Sequence, residues 1–177
     1  MKAIYQPKGK AAEYAKWACN FYVGCSNGCD YCYLKKGRGA KILGGDKPTL
    51  KKCFKDEYHA FDVFVKEMEA NLPELQKHGL FFSFTTDPLL PETKYLTYSA
   101  MTLCYMSKIP VKILTKRADF VDEFLKNISE FKFPTEYIAF GFTLTGHDEL
   151  EPDASTNQER IEAMKKLHDA GFKTFAS

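Results

Sequence analysis

Apolar positions along this chain fall into short continuous runs that alternate with stretches of helical period. Trp17-Ala18-Cys19-Asn20-Phe21-Tyr22-Val23 is aromatic-rich and stops at Gly24, which predicts a strand buried on both faces. From Asp56 the period changes. Phe61, Phe64, Val65, Met68 and Leu72 share one face of a helix that Pro73 ends or jogs and Gly79 closes. Residues 80–84 predict a second strand, halted by the polar Thr85-Thr86-Asp87-Pro88. Leu96, Ala100, Leu103 and Met106 return to helical spacing. Residues 110–114 predict a third strand ending in Thr115-Lys116, and Phe120, Val121, Phe124 and Leu125 mark the next helix. Residues 137–142 predict a fourth strand, running into Thr143-Leu144-Thr145-Gly146-His147-Asp148. The last helix has the clearest ends: Thr156 and Glu159 form a capping box, Ile161, Met164 and Leu167 face inward, and Gly171 is the stop. Residues 172–177 begin a fifth strand.

Strand and helix thus alternate four times, the signature of an α/β domain with a parallel sheet and helical crossovers. The polar groups sit where strands end: three cysteines after the first, Thr85 to Asp87 after the second, Thr115-Lys116 after the third, Thr143 to His147 after the fourth. Carboxyl ends of parallel strands share a face, and ligands bind there. Four polar clusters are therefore expected to converge. Residues 1–16 read as an N-terminal extension to a single domain spanning 1–177. Residues 35–55, basic and rich in glycine (Gly37, Gly39, Gly44, Gly45), read as a surface excursion.

The most informative motif is Cys25-x3-Cys29-x2-Cys32. It supplies three thiolates and no fourth, whereas a [4Fe–4S] cluster normally takes four. One iron would stay open to a substrate or cofactor. The alternative is a zinc site with Cys19 as fourth ligand, but Cys19 falls inside a predicted strand, and no second C-x2-C or H-x3-H pair completes a zinc pattern. Cys53 and Cys104 read as buried free thiols. The chain has 177 residues, 45% hydrophobic and 27% charged, with a net charge of +2, enough for one globular core and far from the basic imbalance of a protein that grips a phosphate backbone. Nucleic acid is neither indicated nor excluded. The N-terminus lacks the order of a signal peptide and no apolar run reaches membrane-spanning length. A reducing cytoplasm is the expected compartment, with no membrane partner.

The cysteine loop, with Tyr31 before the last cysteine, resembles the signature of the radical S-adenosylmethionine (radical SAM) enzymes. More narrowly, Phe21-Tyr22-Val23-Gly24-Cys25-Ser26-Asn27-Gly28-Cys29-Asp30-Tyr31-Cys32-Tyr33 resembles the loop of spore photoproduct lyase and its relatives, with Val23 where arginine is common. Thr85-Thr86-Asp87-Pro88, Leu114-Thr115-Lys116, Phe142-Thr143-Leu144-Thr145, and Glu151-Pro152 with Arg160 resemble further segments of that branch. The resemblance implies a partial (β/α) barrel of the radical SAM type. It also implies a [4Fe–4S] cluster on Cys25, Cys29 and Cys32 whose open iron chelates SAM, an electron donor such as flavodoxin or ferredoxin, and reductive cleavage of SAM to a 5′-deoxyadenosyl radical that abstracts hydrogen from an unknown substrate. The full fold usually has six βα units and this chain has about four and a half, so the barrel is either short or C-terminally truncated.

Roles for individual residues follow from chemistry beside that resemblance. The ammonium of SAM needs an acceptor, for which Asp87 or the hydroxyls of Thr85 and Thr86 are candidates. Its carboxylate needs a cation, Lys116 first and Arg160 second. Thr143 and Thr145 suit the ribose hydroxyls and Tyr31 the adenine. Tyr33 resembles a tyrosine that relays a radical in the lyase. Plainer accounts stand beside these roles: a turn for Asp87-Pro88, β-branched strand residues for Thr143 and Thr145, a solvated helix residue for Arg160, packing for Tyr33. Phe84 stands where the lyase carries a hydrogen-donating cysteine, which makes repair of a DNA photoproduct doubtful. The rival to an enzyme is a non-catalytic module in which the loop holds zinc or an electron-transfer cluster.

Overall fold

Five parallel strands lie side by side in chain order, with a sixth, antiparallel strand on one edge. The computed structural model describes residues 2–36, 39–129 and 135–177; Gly37, counted above among the glycines of the excursion, lies outside them. In chain order the strands are β1 (Ile4–Tyr5), β2 (Ala18–Cys19), β3 (Tyr22–Val23), β4 (Thr49–Leu50), β5 (Leu80–Phe82), β6 (Val111–Thr115), β7 (Ile138–Phe142) and β8 (Lys173–Ala176). The helices are α1 (Ala40–Leu43), α2 (Glu57–Ala70), α3 (Leu72–His78), α4 (Lys94–Met106), α5 (Val121–Ser129) and α6 (Asn157–Asp169). The main sheet runs β1-β2-β5-β6-β7-β8, while β3 and β4 form a separate antiparallel ribbon.

A parallel pair joined through a helix is right-handed as a rule, so a sheet whose strands follow chain order carries its helices on one face and curves as a barrel segment. The side chains agree. In β6, Val111, Ile113 and Thr115 are buried while Lys112, one residue out of phase, is exposed. The buried set joins a core rich in phenylalanine: Phe140 lies 5.4 Å from Phe124 and 5.3 Å from Phe172, and Phe64 lies 5.6 Å from Phe21. The opposite, concave face is left for ligands.

Several expectations change. The first strand is two pieces: Ala18 and Cys19 pair with Phe81 and Phe82, after which the chain leaves the sheet and Tyr22 and Val23 pair with Leu50 and Thr49. Residues 2–16 are more than an extension. Ile4 and Tyr5 form β1, and a 3-10 turn, Gly9–Glu13, follows. Pro73 does jog its helix, falling in the first turn of α3, and Gly79 closes it at φ +73°. Met106 is exposed; Leu96, Ala100, Met101 and Cys104 face inward from α4. The capping box of α6 forms, but Ile161 is exposed, and the inward row is Arg160, Ala163 and Leu167. A buried arginine occupying that row is the reason the apolar period misread it.

Candidate functional site

The cysteine loop leaves β3 through a turn that only glycine fits comfortably. Gly24 has φ +82°, and a Cβ there would lie 2.4 Å from the Lys47 carbonyl oxygen. Cys25 N–H donates to the Gly45 carbonyl at 2.9 Å and Gly24 N–H to that of Leu43 at 3.2 Å. The excursion between the ribbon strands, exposed along much of its length, therefore also forms a wall behind the cysteines. Gly44 and Gly45 line a small cavity with Cys25, Cys29 and Cys32. On the other side, Asp30 N–H donates to the Leu150 carbonyl at 3.0 Å. Gly28, at φ +67°, abuts Asp153 so closely that a Cβ would lie 2.5 Å from its carboxylate.

All three cysteines are free thiols and border one larger cavity of about 530 Å³, within the ~300–1,000 Å³ usual for small-molecule sites. Cys19 borders neither cavity; it is buried in β2 and takes no part in the loop. Among the described residues, no three His, Cys, Asp or Glu side chains converge as a single metal ion requires. Three thiols bordering one cavity are a donor set that a [4Fe–4S] cluster would take, one thiolate per iron. Burial, then the negative charge of Asp87, pushes the Cys25 thiol up to about 11. Burial also raises Cys29, against the pull of Lys116. Ligand binding to these thiols therefore displaces protons.

Asp87 ties the site together. Its Oδ1 accepts Thr115 Oγ1 at 2.7 Å and Leu89 N–H at 3.0 Å; its Oδ2 accepts Asn27 Nδ2 and Lys116 N–H, both at 2.8 Å. Four donors fill the capacity of one carboxylate, so it joins the cysteine loop to the end of β6 and has no lone pair left for an ammonium. Thr85 is likewise committed, donating to the Tyr22 carbonyl at 2.6 Å, and it does not line the cavity. Thr86 differs. Among the described residues its buried hydroxyl has no hydrogen-bond partner, nor does the buried Oδ1 of Asn27, and both residues line the cavity.

A second network surrounds Glu151, which is buried. Its Oε2 meets Arg160 Nη2 at 2.6 Å, and its Oε1 accepts the Tyr31 hydroxyl and lies 3.6 Å from Lys116 Nζ. Burial alone would raise this carboxyl; the bonds from Tyr31 and Arg160 and the neighbouring cations outweigh it, and the carboxyl is held below the ordinary glutamate range. Arg160 is wholly buried and also donates to the Thr143 carbonyl at 2.8 Å. It does not border the cavity, and at full burial it is not the solvated helix residue of the plainer account. Thr145 bonds Glu151 at 3.3 Å and is also outside the cavity lining. Thr143, Lys116, Tyr31 and Tyr33 line it. Lys116 Nζ sits 5.2 Å above the Tyr31 ring, and the Tyr33 hydroxyl donates to the Phe84 carbonyl.

The sequence profile of the radical SAM superfamily matches residues 19–177. The chain belongs to the radical SAM superfamily. Members of this superfamily are enzymes that bind a [4Fe–4S] cluster and use SAM. Among curated proteins, an uncharacterised protein of Methanocaldococcus jannaschii is 28% identical over 173 residues, which cover 92% of this chain. The same match covers 59% of that relative, so this radical SAM chain spans less than two thirds of its length. Among the described residues no helix is long and apolar enough to cross a membrane. Sequence reasoning missed Asn27, whose amide bonds Asp87 across 60 positions. It also missed the N-terminal turn, from which Lys10, Ala11 and Tyr14 reach the cavity. No local motif marks either one.

Proposed function

We propose that Cys25, Cys29 and Cys32 hold the [4Fe–4S] cluster of this radical SAM domain, and that the cavity beside them binds SAM. The reaction is reductive cleavage of SAM to methionine and a 5′-deoxyadenosyl radical, which takes a hydrogen atom from a substrate. The observation that carries the reading is the shared cavity: three free thiols open onto it together with a lysine and two buried oxygens that have no partner among the described residues. When bound, the cluster supplies one electron and an open iron able to chelate the amino and carboxylate groups of SAM.

The protein's own residues bind and orient. Glu151 faces two cations, Arg160 at 2.6 Å and Lys116 at 3.6 Å, so the closer arginine neutralises it and leaves the Lys116 charge free for the carboxylate of SAM. The ammonium goes to Thr86 Oγ1 and Asn27 Oδ1, the acceptors still vacant, in place of the saturated Asp87. Thr143 serves the ribose and Tyr31, held by Glu151, lies against the adenine. Asp87, Thr85, Thr145 and Arg160 position these groups without touching the ligand. Tyr33 borders the cavity with its hydroxyl committed to Phe84, and a relay role requires that bond to open. Kinship with spore photoproduct lyase rests on the loop and strand-end segments; Phe84, in place of a thiol donor, directs the chemistry to a different substrate. A flavodoxin or ferredoxin is the expected electron donor, and six free thiols suit a reducing cytoplasm.

Anaerobic reconstitution tests the reading. About four iron and four sulfide per chain, a SAM-dependent change in the EPR spectrum of the reduced protein, and 5′-deoxyadenosine after dithionite are expected. One tightly held zinc and no 5′-deoxyadenosine would overturn it in favour of the non-catalytic module.

A further inference from the structure

The large cavity has two chemically different ends. At one, it meets the small cavity behind the loop, with which it shares Cys25, Asn27, Cys29, Cys32 and Leu34. At the other, it meets a cavity of about 210 Å³ at the amino-terminal ends of β5, β6, β7 and β8, with which it shares Tyr14 and Phe81 and no cysteine. That second end is aromatic. Phe84 stacks on Phe81 with centroids 4.5 Å apart and planes at 24°, and Tyr14 stands edge-on to Phe84 at 6.2 Å and 79°. Phe84 is fixed from both sides of its backbone, its N–H donating to Asn20 Oδ1 at 2.8 Å and its carbonyl accepting the Tyr33 hydroxyl. This wall is therefore preorganised, and it is not a loose apolar surface. Tyr14 nevertheless remains 47% exposed. Lys10, one turn earlier, lines the same end and has no ion-pair partner among the described residues.

We propose that the end of the cavity built by Lys10, Ala11, Tyr14, Phe81 and Phe84 is the substrate subsite, and that it takes a planar aromatic ring carrying an anionic group. The inference rests on the radical SAM reading, which places SAM at the cysteine end. A ring entering here extends the offset and edge-on array already begun by Phe81, Phe84 and Tyr14, covering the wet part of the Tyr14 ring. The anion meets the uncompensated Lys10. The N-terminal segment thus acts as a wall of the active site, the part of the chain that sets what reaches the radical.

The test is calorimetric titration of the full chain, cluster-loaded and saturated with SAM, under anaerobic conditions. The probes are indole-3-propionate, a nucleoside 5′-monophosphate such as UMP, and the non-aromatic cyclohexanepropionate and ribose 5-phosphate. At least one aromatic anion should bind, and more tightly than its non-aromatic counterpart. Which of the two does so separates an aromatic acid from a nucleotide as the source of the ring. Tyr14→Ala should weaken that probe about fivefold or more, as expected for loss of an aromatic contact, and Lys10→Gln should weaken it about two- to fivefold and flatten its salt dependence, while SAM affinity stays within twofold in both variants, roughly the reproducibility of such a difference. Lys10 is exposed on the turn, so its variant folds whatever happens to Tyr14→Ala. The proposal is overturned if no aromatic anion binds, if bound probe competes with SAM, or if neither variant changes probe affinity. If the protein accepts no cluster and no SAM, the functional reading fails, and the same titration on the cluster-free chain still reads the aromatic subsite separately.

Discussion

Replacing Asp87 with asparagine removes one charge and exchanges one oxygen for an amide, yet the consequences should be large because all four donors around that carboxylate are specified. If the new amide nitrogen takes the place of Oδ1, it faces the Leu89 N–H and a Thr115 hydroxyl that already accepts Arg117 N–H at 2.9 Å. If it takes the place of Oδ2, it faces the Lys116 N–H, while Asn27 can flip to offer its vacant oxygen. Either way a backbone N–H is stranded. Hydrogen bonds to charged groups are worth about 1.5–3 kcal/mol and neutral ones about 1, so one bond lost and the remainder weakened sum to about 4 kcal/mol. For a chain of this size that corresponds to a fall of about 10 °C in the unfolding midpoint. Thermal and urea unfolding of the metal-free protein measure it, with iron content after reconstitution reporting whether the cysteine loop stays tethered. A loss under about 1 kcal/mol would refute the reasoning, because a surface turn of the Asp-Pro type tolerates Asn at that level.

Glu151→Gln should cost about 3 kcal/mol or more at neutral pH by leaving buried Arg160 without its counter-charge. The Glu151 carboxyl is held below its ordinary 4.5, so its contribution is complete above that value and lost as pH falls through the lower folded one; urea midpoints from pH 7 to 3 should show this component in the wild type and not in the variant. Gly24→Ala should destabilise by about 2 kcal/mol or more and lower iron loading, since its Cβ meets the Lys47 carbonyl oxygen at 2.4 Å. Gly146→Ala, at a similar φ of +71° with nothing within 4 Å, should cost about 1 kcal/mol from backbone strain alone; equal losses at the two sites would contradict the close-approach argument. Cys29→Ala should abolish iron binding. Lys116→Ala should retain iron and weaken SAM binding about tenfold, the scale of one charge-assisted contact, as read by equilibrium dialysis.

The sequence made the fold class legible because strand and helix signals are local: the runs at residues 80–82 and 138–142, the periods of α2 and α5, and the capping box of α6 can each be read within one turn or strand. Failures came where a polar residue took a core position or an apolar one did not. Arg160 occupies the inward row of α6, displacing Ile161 to the surface, because Glu151 is there to receive it. Residues 2–16 carry no strong period, yet Ala3 and Ile4 are buried, held by pairing with β2 and by the Glu67 carboxylate on Ile4 N–H at 2.7 Å.

By itself, the spacing of Cys25, Cys29 and Cys32 pointed to the superfamily that the chain belongs to, since three thiols within eight positions are compatible with one cluster whatever the remainder of the chain does. The alternation of apolar runs determined that polar strand ends would gather on one face. Which of those polar groups remain available was decided only by tertiary structure. Asp87, the most conspicuous candidate, is consumed by donors 2, 28, 29 and 60 positions away. Thr86 beside it and Asn27, which carried no signal, are left with oxygens that have no partner among the described residues. A residue's chemistry is written in its side chain, but its free valence depends on partners brought together by folding, and a linear pattern does not contain that information.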